Sequence, residues 1–156
     1  MIISVLLALA AAPETRLPPA QALPPPAAEE QAVLAPISQL FAAFEAGDST
    51  GVLRVVYPDG RVTAVGALRT GIGLRQESWT QFTARLKPGE GFRESISDPA
   101  IEVDGDIAMV WAPFVVRVDG KVSNCGVDHF DLVHANGAWK VMNISFSSRT
   151  TGCPTQ

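Results

Sequence analysis

Positive charge is sparse in this chain and nowhere clustered. Its 156 residues hold 12 Lys and Arg against 16 Asp and Glu, for a net charge of −4. Without a basic patch there is no electrostatic footprint for nucleic acid or an anionic membrane. Histidine is equally scarce, with only His129 and His134. Neither falls in a metal-ligand spacing, and Cys125 with His129 makes an incomplete set, so no metal site is expected. No Ser-His-Asp or Cys-His assembly is evident. The glycines of Thr70-Gly71-Ile72-Gly73 lack phosphate-loop spacing and no Lys-Ser/Thr follows, so no cofactor motif is present and the segment reads as a connection. No apolar run approaches the roughly 20 residues a membrane-spanning helix needs, so no transmembrane segment is expected.

What is present begins with an apolar run, Ile2 to Ala12. Its length suits a signal-peptide core, with small-residue cleavage options at Ala8-Leu9-Ala10 or Ala20-Gln21-Ala22. No Lys or Arg precedes it, and a frayed apolar tail is the alternative. Prolines 13, 18, 19, 24, 25 and 26 follow; they remove donors and block helix. The expected organisation is a signal peptide over 1–22, a Pro-rich linker over 23–27 and one folded domain over 28–153, exported to the periplasm or beyond. Two cysteines, Cys125 and Cys153, fit export, where an even count favours a disulfide.

Val33, Ile37, Leu40, Phe41 and Phe44 recur at helical spacing, with Pro36 at a start or a bend and Gly47 past the end. Asp48 and Ser49 offer caps for a short second helix to Val56. Arg61 to Ala67 is a short strand. Trp79, Phe82 and Leu86 mark a third helix over Glu77–Leu86. Phe92 to Ile96 and Ala100 to Val103 are strand-like.

From residue 104 the chain is a meander. Asp104-Gly105, Asp119-Gly120 and Asn136-Gly137 separate apolar runs, the strongest short-range hairpin signal. Counting back from two-residue turns pairs Trp111 with Asp128, Met109 with Phe130, Phe130 with Asn143 and Asp128 with Ser145. Opposed residues share a face. One face then carries Ile107, Met109, Trp111, Asp128, Phe130, Leu132, Trp139, Val141, Asn143 and Ser145. The other carries Ala108, Val110, Ala112, Phe114, Cys125, Val127, His129, Val133, Met142, Ile144 and Phe146. A bulge would swap these assignments. Both faces are largely apolar, so both should be covered, one by the helices and one by a second subunit or the C-terminal tail.

Asp128, Asn143 and Ser145 beside Trp111 make a polar patch of the kind a small-molecule pocket uses for orientation. Burial would raise the pKa of Asp128 and make it a candidate proton-transfer group. Pattern alone favours the plainer reading, a self-satisfying polar network beneath the helices. Glu94 sits at the rim of such a pocket or pairs with an arginine, the pairing being the simpler expectation.

The runs Val110-Trp111-Ala112-Pro113-Phe114, Asp119-Gly120-Lys121, Cys125 through Val133, Gly137-Ala138-Trp139-Lys140-Val141 and Gly152-Cys153 together resemble the nuclear transport factor 2-like superfamily. The nearest branch is the bacterial SnoaL-like and lumazine-binding proteins, over about residues 28–153. The resemblance implies an α+β cone: three helices packed on a bent antiparallel sheet, a pocket between, and frequent sheet-mediated dimers. The superfamily includes ketosteroid isomerases, scytalone dehydratases, epoxide hydrolases and polyketide cyclases. No full motif of any of these is present, and the only tyrosine, Tyr57, follows the second helix. The resulting expectation is an exported domain binding a small, partly apolar ligand, with no specific activity assigned. Its pocket would be lined by Trp79, Trp111, Asp128, Phe130, Asn143 and Ser145. The alternatives are an isomerase-, dehydratase- or cyclase-type enzyme with Asp128 as general base, or a protein-interaction module using the sheet.

Overall fold

The computed structural model describes residues 27–68 and 71–154. The proposed leader and most of the Pro-rich linker lie outside the described residues. Three helices, α1 (Ala27–Ala46), α2 (Ser49–Val55) and α3 (Trp79–Thr83), accompany seven strands: β1 (Arg61–Leu68), β2 (Gly71–Ser78), β3 (Phe92–Ile96), β4 (Ala100–Asp104), β5 (Ile107–Val118), β6 (Lys121–Ala135) and β7 (Ala138–Ser148). The class is α+β.

α1 runs unbroken through Pro36 and ends at Gly47, whose φ of 64° only glycine adopts without strain. Val33, Ile37, Leu40 and Phe44 all point into the core. Asp48 caps α2, its Oδ1 accepting from the Gly51 amide at 2.9 Å. Ser78 and Gln81 cap α3 reciprocally.

One sheet holds all seven strands in the order β2-β1-β7-β6-β5-β3, with β4 also pairing with β5. Two expectations need correction. The sheet is mixed, because β1 lies parallel to β7 (Val62 opposite Ile144); parallel neighbours are joined by distant chain, so no turn signal marks them. The stretch read as a glycine-bearing connection is β2, an edge strand pairing Leu68 with Gly71 through Arg61 with Ser78. As a result, among the described residues two helices precede the strands, and α3, the shortest, follows the β1–β2 hairpin.

Asp119-Gly120 and Asn136-Gly137 do form two-residue turns, with all four residues at φ of 50–77°. Two bulges then shift the registers. Between β5 and β6, Val116 opposes Asn124 but Arg117 opposes Val122, leaving Ser123 unpaired. Between β6 and β7, Asp131 opposes Asn143 but Leu132 opposes Val141, leaving Met142 unpaired. Each extra residue swaps the faces beyond it. Asp128 therefore opposes Ala112 and Phe146, and Phe130 opposes Val110 and Ile144.

The helix-side face carries Ala108, Val110, Ala112, Phe114 and Val116 on β5, Asp128, Phe130 and Leu132 on β6, and Val141, Ile144 and Phe146 on β7. Most of these are buried with the α1 side chains in one core. Each large aliphatic side chain so buried contributes about 1.5–3 kcal/mol. Phe41 meets Phe130 edge-on at 6.0 Å. The freed Met142 carbonyl accepts from the Trp79 indole at 3.0 Å. A Cβ on Gly60 would lie 1.7 Å from that same oxygen, so only glycine fits there.

Cys125 and Cys153 form a disulfide with Cα atoms 5.6 Å apart. Paired backbone bonds between Cys125 and Arg149, at 2.9 and 3.0 Å, hold the same tail against β6. No described helix is long and apolar enough to cross a membrane.

Candidate functional site

The curved helix-side face and the helices do not fill the space between them. A cavity of about 330 Å³ remains. Phe44 from α1, Phe82 from α3, Phe92 from β3, Phe114 from β5 and Phe146 from β7 form much of its wall. Their rings meet one another, Phe44 with Phe82 at 5.0 Å and Phe114 with Phe146 at 6.0 Å. Ser123, Asn124, Ser148 and Thr150 add a polar rim, so the β6 bulge and the disulfide-held tail both shape the cavity. Past Ser123 it continues into an open groove bounded by Leu86, Lys87, Glu90 and Val118.

Two carboxyls mark the interior. Glu94, from β3, lines the cavity and has no side-chain partner among the described residues. Asp128 lies on the same face of the sheet, directly opposite Phe146. It is 0% exposed and neither carboxyl oxygen has a hydrogen-bond partner. Burial pushes Asp128 up to about 9, with the nearby Glu94 charge adding to the shift, and burial pushes Glu94 up to about 8. At neutral pH both therefore hold protons and can donate hydrogen bonds.

At the β2 side stand two guanidiniums. Arg75 Nε is 3.1 Å from Glu77 Oε1, but too poorly aligned to count as a hydrogen bond. Arg85 bonds to the same oxygen and lies over the Phe82 ring at 5.4 Å. Both arginines line the cavity, and Glu77 is their only described anionic partner.

The residues expected to build the site are dispersed by the two bulges. Asp128 is on the cavity side, next to the wall. Trp79 and Phe130 are on that side too, but fully buried in the core without lining the cavity. Trp111, Asn143 and Ser145 are on the opposite, outer face. Trp111 is 52% exposed and lies tilted against the His129 ring at 5.9 Å. Asn143 accepts from the Arg61 amide at 2.9 Å and donates to Asp131 at 3.1 Å, pinning β1, β7 and β6 together. Ser145 is exposed beside His129. Thus the expected Trp111–Asp128–Asn143–Ser145 patch does not assemble.

His129 opposes Trp111 and Ser145 on the outer face and does not share the face of Val110 and Ile144. The expected arginine partner of Glu94 is also absent among the described residues, since its neighbour Arg93 pairs with Glu45 instead. Alternation within β3 was the available signal: Phe92, Glu94 and Ile96 share one face, so Glu94 follows its apolar neighbours inward. Nothing in the sequence marks Arg75 or Arg85.

Residues 28–147 match the family described as "Putative lumazine-binding". No curated protein matches the chain. Among solved structures, a protein of unknown function with a cystatin-like fold from Nostoc punctiforme aligns with a TM-score of 0.67 at 12% identity, covering 83% of this chain and 97% of that one. A nuclear transport factor 2-like protein with a cystatin-like fold from Novosphingobium aromaticivorans aligns at 0.64 and 14% identity, covering 81% and 84%. A nuclear transport factor 2-like protein of unknown function from Shewanella baltica aligns at 0.59 and 16%, covering 78% and 94%. At these identities the likeness establishes the fold.

Proposed function

We propose that this chain, which belongs to the "putative lumazine-binding" family of nuclear transport factor 2-like domains, binds a small, largely apolar molecule in the cavity between helices and sheet. The observation that carries this is the combination of a phenylalanine-walled cavity of about 330 Å³ with a cavity-lining Glu94 that has no described partner. That volume is at the small end of the range for ligand pockets. An apolar wall binds by area, and a few polar groups fix orientation. Titration calorimetry with flat aromatic compounds, lumazine among them because the family name carries it, tests the reading. Saturable binding that Phe114→Ala or Phe146→Ala weakens at least tenfold supports it; no binding across the panel overturns it.

A second reading is favoured by the two carboxyls. A pair that holds protons at neutral pH suits acid–base chemistry of the isomerase or dehydratase kind. Asp128 is then a proton donor before it is a base, and Glu94, which lines the cavity, is the group that meets a substrate. Turnover of an enolisable or dehydratable ligand, lost in Glu94→Gln, would mark this reading.

The outer face supports a homodimer through the sheet: Ile107 and Trp111 are exposed there, and Met109, Val127 and Val133 are half-buried beside them. Sedimentation showing a dimer that Trp111→Ser dissociates is the expected result. The disulfide agrees with an exported domain over 28–153 behind a leader over 1–22 and a linker over 23–27; the mature N-terminus of the protein recovered from its native host tests that assignment.

A further inference from the structure

Charge across the cavity is uneven, and the unevenness selects among ligands. Two guanidiniums, Arg75 and Arg85, converge on one oxygen of Glu77. The surplus is one positive charge, on side chains that line the cavity. Arg75 Nε is buried with no hydrogen-bond partner. A buried donor left unmade is costly, and a guanidinium finds its best partner in a carboxylate or similar planar anion. Both side chains are partly open to water, and a neutral ligand would displace that water from the surplus charge without replacing it.

The rest of the lining sets the other limits. Phe82, under the Arg85 guanidinium at 5.4 Å, joins the cation site to the aromatic wall. Flat rings stacked or edge-on against such walls bury large area at fixed geometry. Beyond the wall, Glu94 supplies no second cation for a further negative charge on the ligand.

Resting on the reading of the cavity as a ligand site, we propose that its ligand class is the aromatic monoanion, with the anionic head on Arg75 and Arg85 and the ring system among Phe82, Phe114 and Phe146. Dianions are excluded because the lining offers a single surplus charge and no further cation. Glu77 is the internal competitor for the arginines, and its strength tunes affinity.

A matched pair of probes tests this: 2-naphthoate and 2-naphthamide, titrated calorimetrically into the purified protein at pH 6.5. The acid should bind about tenfold or more tighter than the amide, the value of one charge-assisted pair. Arg75→Gln and Arg85→Gln should each erase most of that gap while leaving amide affinity within about twofold. Glu77→Gln should widen the gap severalfold, a gain that a merely misfolded hairpin would not produce. Equal affinity of acid and amide, or a gap untouched by all three substitutions, overturns the anion assignment and leaves the cavity reading standing. Failure of both probes to bind overturns the assignment together with the cavity reading beneath it.

Discussion

Asparagine in place of Asp128 isolates the effect of burying an unpartnered carboxyl. The side chain is fully buried and both oxygens lack partners. Unfolded, this carboxyl loses its proton near 3.8; folded, it holds the proton to about 9. Between those values the folded state binds more protons than the unfolded state, so stability falls as pH rises. The stabilising contribution is complete below 3.8 and is progressively lost on the way up to 9. The ceiling is about 1.4 kcal/mol per pH unit, or about 4 kcal/mol from pH 5 to pH 8. Relaxation and water entering from the adjacent cavity reduce this to about 1–3 kcal/mol, roughly 3–10 °C in Tm for a domain of this size. Asp128→Asn keeps the shape and removes the titration. Thermal melts of the two proteins at pH 5, 6, 7 and 8 should therefore diverge, the variant gaining on the wild type at each step. Glu94 titrates in both proteins and largely cancels. A difference in Tm that stays constant across that range would show that Asp128 holds no proton in the fold.

Replacing Cys153 with Ser opens a loop of 28 residues and should cost about 3.5 kcal/mol in the chain-entropy account, read as a drop in urea midpoint that reduction of the wild type reproduces. Raising pH from 6.5 to 9 ionises Glu94, which titrates near 8; 2-naphthoate affinity should fall severalfold while 2-naphthamide is unchanged, and Glu94→Gln should flatten the dependence. Asn143→Ala removes the two bonds that pin β1, β7 and β6 on the outer face and should cost about 1–2 kcal/mol by denaturant unfolding with no change in ligand affinity, because Asn143 does not line the cavity.

The turns of the meander were legible because Asp119-Gly120 and Asn136-Gly137 announce a backbone that few other dipeptides adopt. The apolar face of α1 was legible for the same kind of reason, through Val33, Ile37, Leu40 and Phe44. The bulges were not. β5 is apolar on both faces, with Val110, Ala112 and Phe114 on one and Met109, Trp111 and Val115 on the other, so alternation gave no reason to prefer either register. A single unpaired Ser123 then decided which side Trp111 would take, and a single Met142 did the same for Asn143 and Ser145. β2 was misread because Gly71 and Gly73 suggest a turn, whereas an edge strand with open space above both glycines tolerates them. The site suffered most, since it depended on three strands agreeing. Asp128 kept its place on the helix side; its expected companions did not.

The central claim is that any ligand sits on the helix side of the sheet and not against Trp111. Backbone and side-chain NMR of the protein titrated with 2-naphthoate tests this most directly. Shifts concentrated at Phe82, Glu94, Phe114 and Phe146, with Trp111, Asn143 and Ser145 unmoved, are the predicted result. Shifts concentrated at Trp111, Asn143 and Ser145 would contradict it.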